Sequence, residues 1–472
     1  MPFISFVIQA FYAAFCLYAL RDKEFSGIAP GPSESRVPKE KIALNMTTFF
    51  VLSFALRAYF LLTQTNGDLK YYVSAMRSLL DNGFFGYYDH AKIVYPPLFN
   101  YTYCLLGQLL RLFGIPLTDT LQLPLFFLKL PATVCDYLTA LFLYRIGARR
   151  DYRLGFALCC LYILSPAAIF DSAYVGQVDG IYTLFVVLTV WCVSRRRSDI
   201  GCFFFVISFL FKYQTVFVFP VLLCGLLHEV FFTDFSWKKF RHYLCFGCLS
   251  VAMAFASYLP FICDLKGKRF APELMFGTVQ ASVTGYARCS TNAYNLWTLL
   301  GCNLKPTDSP YLFLNAGTWG TIHIVLLTCG SFALFIRMCR RQRAYDGFRG
   351  KNKTPESCDA PSAKITPASA PLLGAWLITG VFCFSVNMMC RYLFPAIALL
   401  FLACAMHPTK RIRRCVCIFS VLYIPVIMLP LTCYGYEQYY DYLILPRVLS
   451  AGMIGGFLYL SYVIWRECDG KP

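Results

Sequence analysis

Five ionisable side chains at the ends of apolar runs are the residues of this 472-residue sequence best suited to chemistry. They are Asp68, Asp171, Asp179, Lys212 and Arg391. A charged group inside a membrane is costly unless it faces a cavity or a partner, so its position is informative. Carboxylates and cations gathered at one membrane face predict a pocket in which an acid–base reaction meets a negatively charged group.

Two further ionisable residues lie deeper in one apolar run. Lys129 and Asp136 are seven residues apart in LKLPATVCDYLTALFLYR and share a helical face. They belong either to a substrate site or to an intramembrane ion pair that orders helices. The five histidines are scattered, with none at ligand spacing from another, so the spacing predicts no metal site.

The apolar runs that carry these residues define the class of protein. The chain is 58% hydrophobic and only 14% charged, far less charged than a soluble domain. Runs such as 43–63, 155–175, 243–263 and 446–465 have the length of about 20 residues that a membrane-spanning helix needs. The net charge of +18 lies in short basic clusters between these runs, which indicates membrane orientation and not nucleic-acid binding. We expect an all-α polytopic membrane protein.

The basic clusters also predict a topology. Placing seven of them in the cytosol puts 29 of the 43 Lys and Arg residues there and leaves the five chemistry-bearing residues on the outer side. This orientation predicts about thirteen transmembrane helices. They are expected near 3–20, 43–63, 122–146, 155–174, 179–194, 200–212, 215–232, 243–263, 318–337, 370–387, 392–406, 415–432 and 447–465.

Two long outer loops, 65–121 and 264–317, follow from this topology, and connections of such length are usually functional or disordered. Within the first, residues 97–114 are predicted to form an amphipathic helix on the outer surface. The predicted divisions are an N-terminal helix and cytosolic linker (1–42), a transmembrane core (43–337), a cytosolic linker (338–369) and C-terminal transmembrane helices (370–472).

Most of the 23 cysteines stand singly inside apolar runs, where a thiol behaves as a small hydrophobe. Cys289 and Cys302 are different because both fall in the second outer loop. They are candidates for a disulfide if that loop faces an oxidising compartment.

A series of motifs in constant order carries a resemblance to a known family. Between residues 66 and about 400 the chain resembles the GT-C glycosyltransferases that use polyprenyl-phosphate sugars, especially the branch related to the second mannosyltransferase of glycosylphosphatidylinositol-anchor synthesis. The motifs are Asp68 after an early span, IVYPPLFNY (93–101), LKLPATVCDYLTALFLYR (128–145), SPAAIFDSAYVGQVDGIYTLF (165–185), FKYQTVFVFP (211–220), STNAYNLWTLLG (290–301) and RYLFPAIALLF (391–401). The resemblance implies a GT-C-type fold.

The resemblance also implies roles for these residues. It points to Asp68 as the catalytic base that accepts a proton from the attacking sugar hydroxyl. Lys212, Gln214 and Arg391 are expected to bind the donor phosphate. The expected substrate-binding residues are Asp171, Gln177, Asp179, Tyr95, Lys129 and Asn295.

Structural alternatives exist for each of the main residues. Asp68 has the form of an N-cap before LKYYVSAMRSLL, and Asp179 that of a cap on the fifth span. Lys212 and Arg391 are placed to reach outer lipid headgroups. The sequence also departs from the family, since Met389 and Cys390 stand where relatives often have His-Glu before the arginine.

The resulting prediction is an inverting glycosyltransferase that transfers a hexose, mannose or glucose, from a polyprenyl- or dolichyl-phosphate sugar to a glycolipid or glycan. The alternative is a transporter or flippase of lipid-linked saccharides, although no internal repeat is visible in the sequence. The expected partners are the bilayer, the lipid-linked donor and the acceptor. No cofactor is expected beyond the donor, while a divalent cation is not excluded by the family. The membrane is either the bacterial cytoplasmic membrane or that of the endoplasmic reticulum, with the site on the outer or lumenal face.

Overall fold

The structure is a computed structural model, and it shows the protein as a bundle of helices. The structure describes residue 12 and residues 39–63, 67–90, 94–118, 122–232, 235–264, 269–285, 287–351, 369–432 and 444–469. The predicted N-terminal helix at 3–20 lies outside these residues, apart from Tyr12. Tyr12 itself is helical, and its hydroxyl donates a hydrogen bond to the carbonyl oxygen of Leu161.

Eighteen α-helices are present in the described part of the chain. In chain order they are α1 (Lys39–Thr63), α2 (Gly67–Asn82), α3 (Tyr87–His90), α4 (Pro97–Leu112), α5 (Gln122–Gly147), α6 (Tyr152–Ile163), α7 (Pro166–Ala168), α8 (Asp179–Ser194), α9 (Ser198–Phe211), α10 (Phe219–Leu227), α11 (Trp237–Ile262), α12 (Glu273–Thr284), α13 (Leu296–Leu299), α14 (Ala316–Lys351), α15 (Ser369–Phe384), α16 (Phe394–Met406), α17 (Lys410–Thr432) and α18 (Ile444–Asp469).

Shorter elements join these helices. The described residues include two 3₁₀-helices (Tyr213–Val218 and Cys390–Leu393) and two π-helices (Ile169–Val175 and His228–Phe232). In the same part of the chain, six two-residue strands pair as three small ladders: β1 (Cys263–Asp264) with β2 (Arg269–Phe270), β3 (Ser290–Thr291) with β6 (Met388–Met389), and β4 (Pro310–Tyr311) with β5 (Leu314–Asn315).

The chain is an all-α multi-pass membrane protein. Seven helical segments of the described residues are long and apolar enough to cross a bilayer. They are Ala43–Leu62, Gln122–Gly147, Tyr213–Phe232, Trp237–Ile262, Ala316–Arg340, Lys410–Pro430 and Ile444–Glu467. An eighth span results if Tyr152–Ile163 and Pro166–Val175, which meet at a bend of 44°, are counted together.

The predicted count of thirteen spans is not confirmed. Four of the predicted spans are helices of only 10–17 residues, shorter than a full crossing: Asp179–Ser194, Ser198–Phe211, Ser369–Phe384 and Cys390–Met406. Among these helices, α16 lies inside the bundle, and every one of its residues is buried. Burial of this helix on all sides explains why its sequence is apolar all round.

Interruptions of apolar helices occur where the candidate residues stand. Pro166 begins a new helix after Ser165, and the left-handed Gly176, with φ of 78°, ends the π-helix that follows. Lys212 is extended, with φ of −157° and ψ of 126°, between α9 and a 3₁₀-helix. Such breaks expose backbone and side chains at helix ends, where a site can form.

Both predicted loops contain ordered structure. In the first, the predicted helix at 97–114 is present as α4, which packs against α2 around Tyr72, Phe99 and Tyr103. In the second, β3 runs parallel to β6, with Ser290 opposite Met388. This pairing fixes the backbone directly before Arg391.

The remaining predictions concern the linker and the cysteines. Helix α14 continues to Lys351, so the first part of the predicted linker 338–369 is helical, while residues 352–368 lie outside the described part. Cys289 and Cys302 are both buried in one small cluster and form no disulfide in the structure. The Cys289 thiol contacts the carbonyl oxygen of Pro306 at 3.2 Å.

Candidate functional site

The turn Gly176–Gly180 is the centre from which the candidate site is built. Gly176 adopts a left-handed conformation that L-residues with a side chain rarely accept. A Cβ atom at Gly176 would also lie 2.9 Å from Leu69 Cδ2 and 2.9 Å from Lys129 Cγ. Glycine therefore allows this turn to pack directly between α2 and α5.

A second glycine in the turn allows α8 to approach α5. A Cβ atom at Gly180 would lie 2.8 Å from the carbonyl oxygen of Ala132 and 2.8 Å from Asp136 Oδ1. Asp179, the first residue of α8, is thereby placed deep in the bundle, with no exposed side-chain surface.

Replacing Gly180 by alanine is expected to lower the free energy of unfolding by about 1–3 kcal/mol, because the new methyl group meets backbone that cannot move aside. The control is Gly455→Ala in α18, where no atom lies within 4 Å of the added Cβ atom. That change should be neutral or stabilising by up to about 1 kcal/mol, as expected for alanine in a helix. Thermal unfolding of both variants in detergent checks the difference; equal midpoints would contradict close packing at Gly180.

Two carboxylates and two cations form the central cluster. Lys212 Nζ donates a hydrogen bond to Asp179 Oδ1 at 2.6 Å. Arg391 lies between the two acids, with Nε 3.7 Å from Asp179 Oδ2 and Nη1 3.8 Å from Asp68 Oδ2. The formal charges of these four groups cancel.

Exposure increases across the cluster from one end to the other. The side chain of Asp179 is completely buried and that of Lys212 is 5% exposed, whereas Arg391 is 19% and Asp68 35% exposed. The cluster is therefore open to a ligand at Asp68 and Arg391 and closed at Asp179.

Buried polar atoms in the cluster have unused hydrogen-bonding capacity. Among the described residues, Arg391 Nε, Asp179 Oδ2 and Asp171 Oδ2 are buried without a hydrogen-bond partner. Buried polar groups of native proteins are nearly always satisfied, so each such group needs an explanation. A bound anion with several acceptor oxygens would explain the guanidinium of Arg391, because it would accept the unused hydrogen bond.

A chain of hydrogen bonds holds the carboxylate of Asp68. Gln177 Nε2 donates to Asp68 Oδ2 at 2.5 Å, and Gln177 Oε1 accepts from the Tyr72 hydroxyl at 3.2 Å. The hydroxyls of Tyr72 and Tyr95 share a further bond of 3.2 Å. Burial raises the pKa of Tyr95 and Tyr72, so both hydroxyls stay protonated and neutral at physiological pH.

Aromatic rings surround the cationic end. Lys212 Nζ lies 5.1 Å from the ring centroids of both Tyr182 and Tyr392, within the range of a cation–π contact. The hydroxyl of Tyr423 donates to the carbonyl oxygen of Arg391 at 3.2 Å. These contacts hold the Lys212 ammonium group and the backbone of Arg391 in place.

The structure brings together most of the residues predicted from the sequence. A chain of contacts links Gln177 to Asp68, Arg391, Asp179 and Lys212 in that order, and Tyr95 joins it through Tyr72. Asp171 is buried on the π-helix that leads into the same turn.

Three predicted residues stand apart from this set. Gln214 is half-buried and donates no hydrogen bond to any described residue. Asn295 is buried as the N-cap of α13, where Oδ1 accepts from Trp297 and Thr298 and Nδ2 donates to the carbonyls of Phe382 and Ser385. Its side chain therefore holds the second loop in place. Lys129 packs beneath Gly176, and its Nζ donates to the carbonyl oxygen of Phe60 at 3.0 Å.

The ion pair of Asp136 differs from the one considered at the sequence level. Its partner is not Lys129 but Arg57 of α1, at 2.8 Å, and both side chains are completely buried. The signal in the sequence was an arginine inside the apolar run FALRAYF. An intramembrane arginine requires a partner, but the sequence does not show which one.

Comparison with known proteins adds no relative. No family model matches the sequence, and no curated protein matches it. The described residues also contain no group of three or more His, Cys, Asp or Glu side chains arranged to hold a metal ion. The function of the cluster is therefore inferred from its geometry and from the sequence motifs.

Proposed function

We propose that the protein is an inverting membrane glycosyltransferase that moves a hexose from a polyprenyl- or dolichyl-phosphate sugar to a glycolipid or glycan acceptor. The observation that carries this proposal is the position of Arg391, which lies within 4 Å of both the partly exposed Asp68 and the buried Asp179. A carboxylate base and a fixed cation thus face the same opening, as transfer from a phosphate leaving group requires.

The reaction balances charge within this cluster. Asp68 accepts the proton of the acceptor hydroxyl while that oxygen forms a bond to the anomeric carbon. The bond between the anomeric carbon and the phosphate oxygen breaks, and the lipid phosphate leaves with the electron pair. One negative charge therefore disappears at Asp68 as another develops on the phosphate, where Arg391 and Lys212 stabilise it. A single displacement inverts the configuration of the anomeric carbon.

The surroundings of the cluster suit a lipid-linked donor. The cluster lies at interruptions between apolar helices, so a prenyl chain can lie among helices while its phosphate reaches Arg391. Mannose and glucose are both compatible with this proposal, because it rests on a carboxylate base and on cations for the phosphate, which do not distinguish one hexose from the other.

The test of this proposal is sugar transfer by the purified full-length chain in lipid nanodiscs. Radiolabelled polyprenyl-phosphate mannose and polyprenyl-phosphate glucose are supplied with glycolipid acceptors extracted from a host membrane, and lipid products are separated by chromatography. Transfer of label to an acceptor, with inverted anomeric configuration, supports the enzyme. Movement of intact labelled donor across sealed proteoliposomes without transfer would instead support the flippase, and would overturn the proposal.

A further inference from the structure

A cavity away from the acid–cation cluster lies between α14, α15 and α18. Its volume is about 1000 Å³. We call it the arginine groove, and it is lined by Leu334, Arg337, Arg340, Trp376, Ile464 and Trp465. None of these residues belongs to the proposed active site.

The floor of the arginine groove is apolar because its few polar groups bond to one another. Trp376 Nε1 donates to Ser461 Oγ at 2.8 Å, and Ser461 Oγ donates to the carbonyl oxygen of Phe457 at 2.8 Å. Gly330 closes the inner end, where an added Cβ atom would lie 3.0 Å from Trp376 Cη2. Such a floor suits a hydrocarbon chain and offers no hydrogen bond to a polar ligand.

The rim of the groove is cationic. Arg337 Cζ lies 3.6 Å from the ring centroid of Trp465, a cation–π contact that fixes the plane of the guanidinium. Arg340, one turn further along α14, is exposed. Tryptophan and arginine together are typical of the level of lipid headgroups, where arginine binds phosphate by a two-pronged contact.

The length of the groove matches one leaflet. Gly330 and Arg340 are ten residues apart on one helix, about 15 Å at 1.5 Å per residue. This is half of a hydrocarbon core of roughly 30 Å. Beyond the inner end, Leu326 of α14 and Leu458 of α18 are each more than 60% exposed, so the apolar surface continues towards the middle of the membrane.

We propose that the arginine groove binds an anionic phospholipid, with an acyl chain against Leu334 and Trp376 and the phosphate on Arg337 and Arg340. Charge complementarity favours an anionic lipid over a zwitterionic one. A zwitterionic lipid has the same acyl chains, but the cation of its headgroup is repelled by the two arginines of the rim. In the predicted topology the groove opens to the cytosolic leaflet, in which anionic lipids are enriched. The proposal does not depend on the activity of the other site.

The test is lipid binding to the purified full-length chain, followed by native mass spectrometry. Wild type is titrated with phosphatidylglycerol and, separately, with phosphatidylcholine of the same chains. We expect phosphatidylglycerol to bind about tenfold more tightly, and the double change Arg337→Gln with Arg340→Gln to remove this preference. Arg340→Gln alone, at an exposed position, should weaken the preference without affecting folding.

Two controls separate the groove from general electrostatics. Arg195→Gln with Arg196→Gln removes the same charge from another cluster on the predicted cytosolic side and should preserve the preference. Ala333→Phe, which fills the groove, should weaken binding of both lipids, and glycerol 3-phosphate should not compete. Equal binding of the two lipids in wild type and variants would show annular lipid only, and overturn the proposal. So would effective competition by glycerol 3-phosphate, or a dimer that covers the groove.

Discussion

Replacing Asp68 by asparagine is expected to lower the rate of sugar transfer by about 10²–10⁴-fold, the usual contribution of a general base. Asparagine keeps the size of the side chain and its bond from Gln177 but cannot accept the proton of the attacking hydroxyl. Because Arg391 and Lys212 both keep Asp179 as a partner in this variant, donor binding should change much less than the rate. Initial rates at saturating donor, together with donor titration, measure the two effects separately.

The matched control for this change is Asp81→Asn at the other end of α2. Asp81 pairs with Arg111 at 2.6 Å, but its side chain is 57% exposed, and such surface pairs contribute little to stability. The rate of sugar transfer by Asp81→Asn should equal that of wild type. Equal activity of Asp68→Asn and Asp81→Asn, with both proteins folded by gel filtration, would remove Asp68 from the role of base. The search would then move to Asp179.

The residues of the candidate site were predictable because they share one local signature. An ionisable side chain beside a glycine, a proline or the end of an apolar run marks a place where a membrane helix is interrupted, and Asp179, Lys212 and Arg391 all have this form. Burying such a group is tolerated only next to a partner or a cavity. The sequence therefore located the groups, and their opposite charges made contact between them expected.

What the sequence could not predict is pairing between distant segments. Arg57 and Asp136 are 79 residues apart, and nothing in either run indicates the other. The β3–β6 ladder joins Ser290 to Met388 through backbone bonds, which leave no alternating pattern in two-residue strands. For the same reason the sequence does not show that the Asn295 amide caps α13 and holds the segment before β6.

The predicted number of spans is not confirmed, for a different reason. Length and hydropathy identify helices that face lipid, but a helix enclosed by other helices is equally apolar and need not be long enough to cross. α16 is the clearest example, with thirteen residues that are all buried. An apolar sequence thus indicates that a helix is shielded from water. Whether lipid or other helices surround it depends on the tertiary fold.

The Arg57–Asp136 pair and the cluster around Arg391 differ in their access to ligands. Arg57 and Asp136 are completely buried, and Arg57 uses Nη1 for Asp136 and Ser172 and Nη2 for the carbonyl oxygen of Ile163. Each system has a buried guanidinium nitrogen without a hydrogen-bond partner among the described residues, Arg57 Nε in the first and Arg391 Nε in the second. The difference is that the cluster around Arg391 is open at one end, where Arg391 is 19% and Asp68 35% exposed. The first system joins α1 to α5 and to the bent helix pair, and this gives it a role in stability instead of catalysis.

Replacing Arg57 by leucine is expected to lower the free energy of unfolding by about 3–5 kcal/mol, because it leaves the carboxylate of Asp136 buried without a counter-charge. The double change Arg57→Leu with Asp136→Leu removes both charges and should recover most of this loss. Reversible unfolding in mixed detergent measures all three proteins. The control is Arg111→Leu, which breaks an exposed ion pair and should cost less than about 1 kcal/mol.

The double variant distinguishes two explanations of a loss of stability in Arg57→Leu. If the loss comes from the uncompensated charge, the second substitution restores stability although it deletes another native side chain. If it comes instead from the packing and hydrogen bonds that Arg57 makes to Ser172 and Ile163, the second substitution adds a further loss. A single variant no less stable than Arg111→Leu would contradict both, and would mean that apolar contacts alone hold α1 against α5.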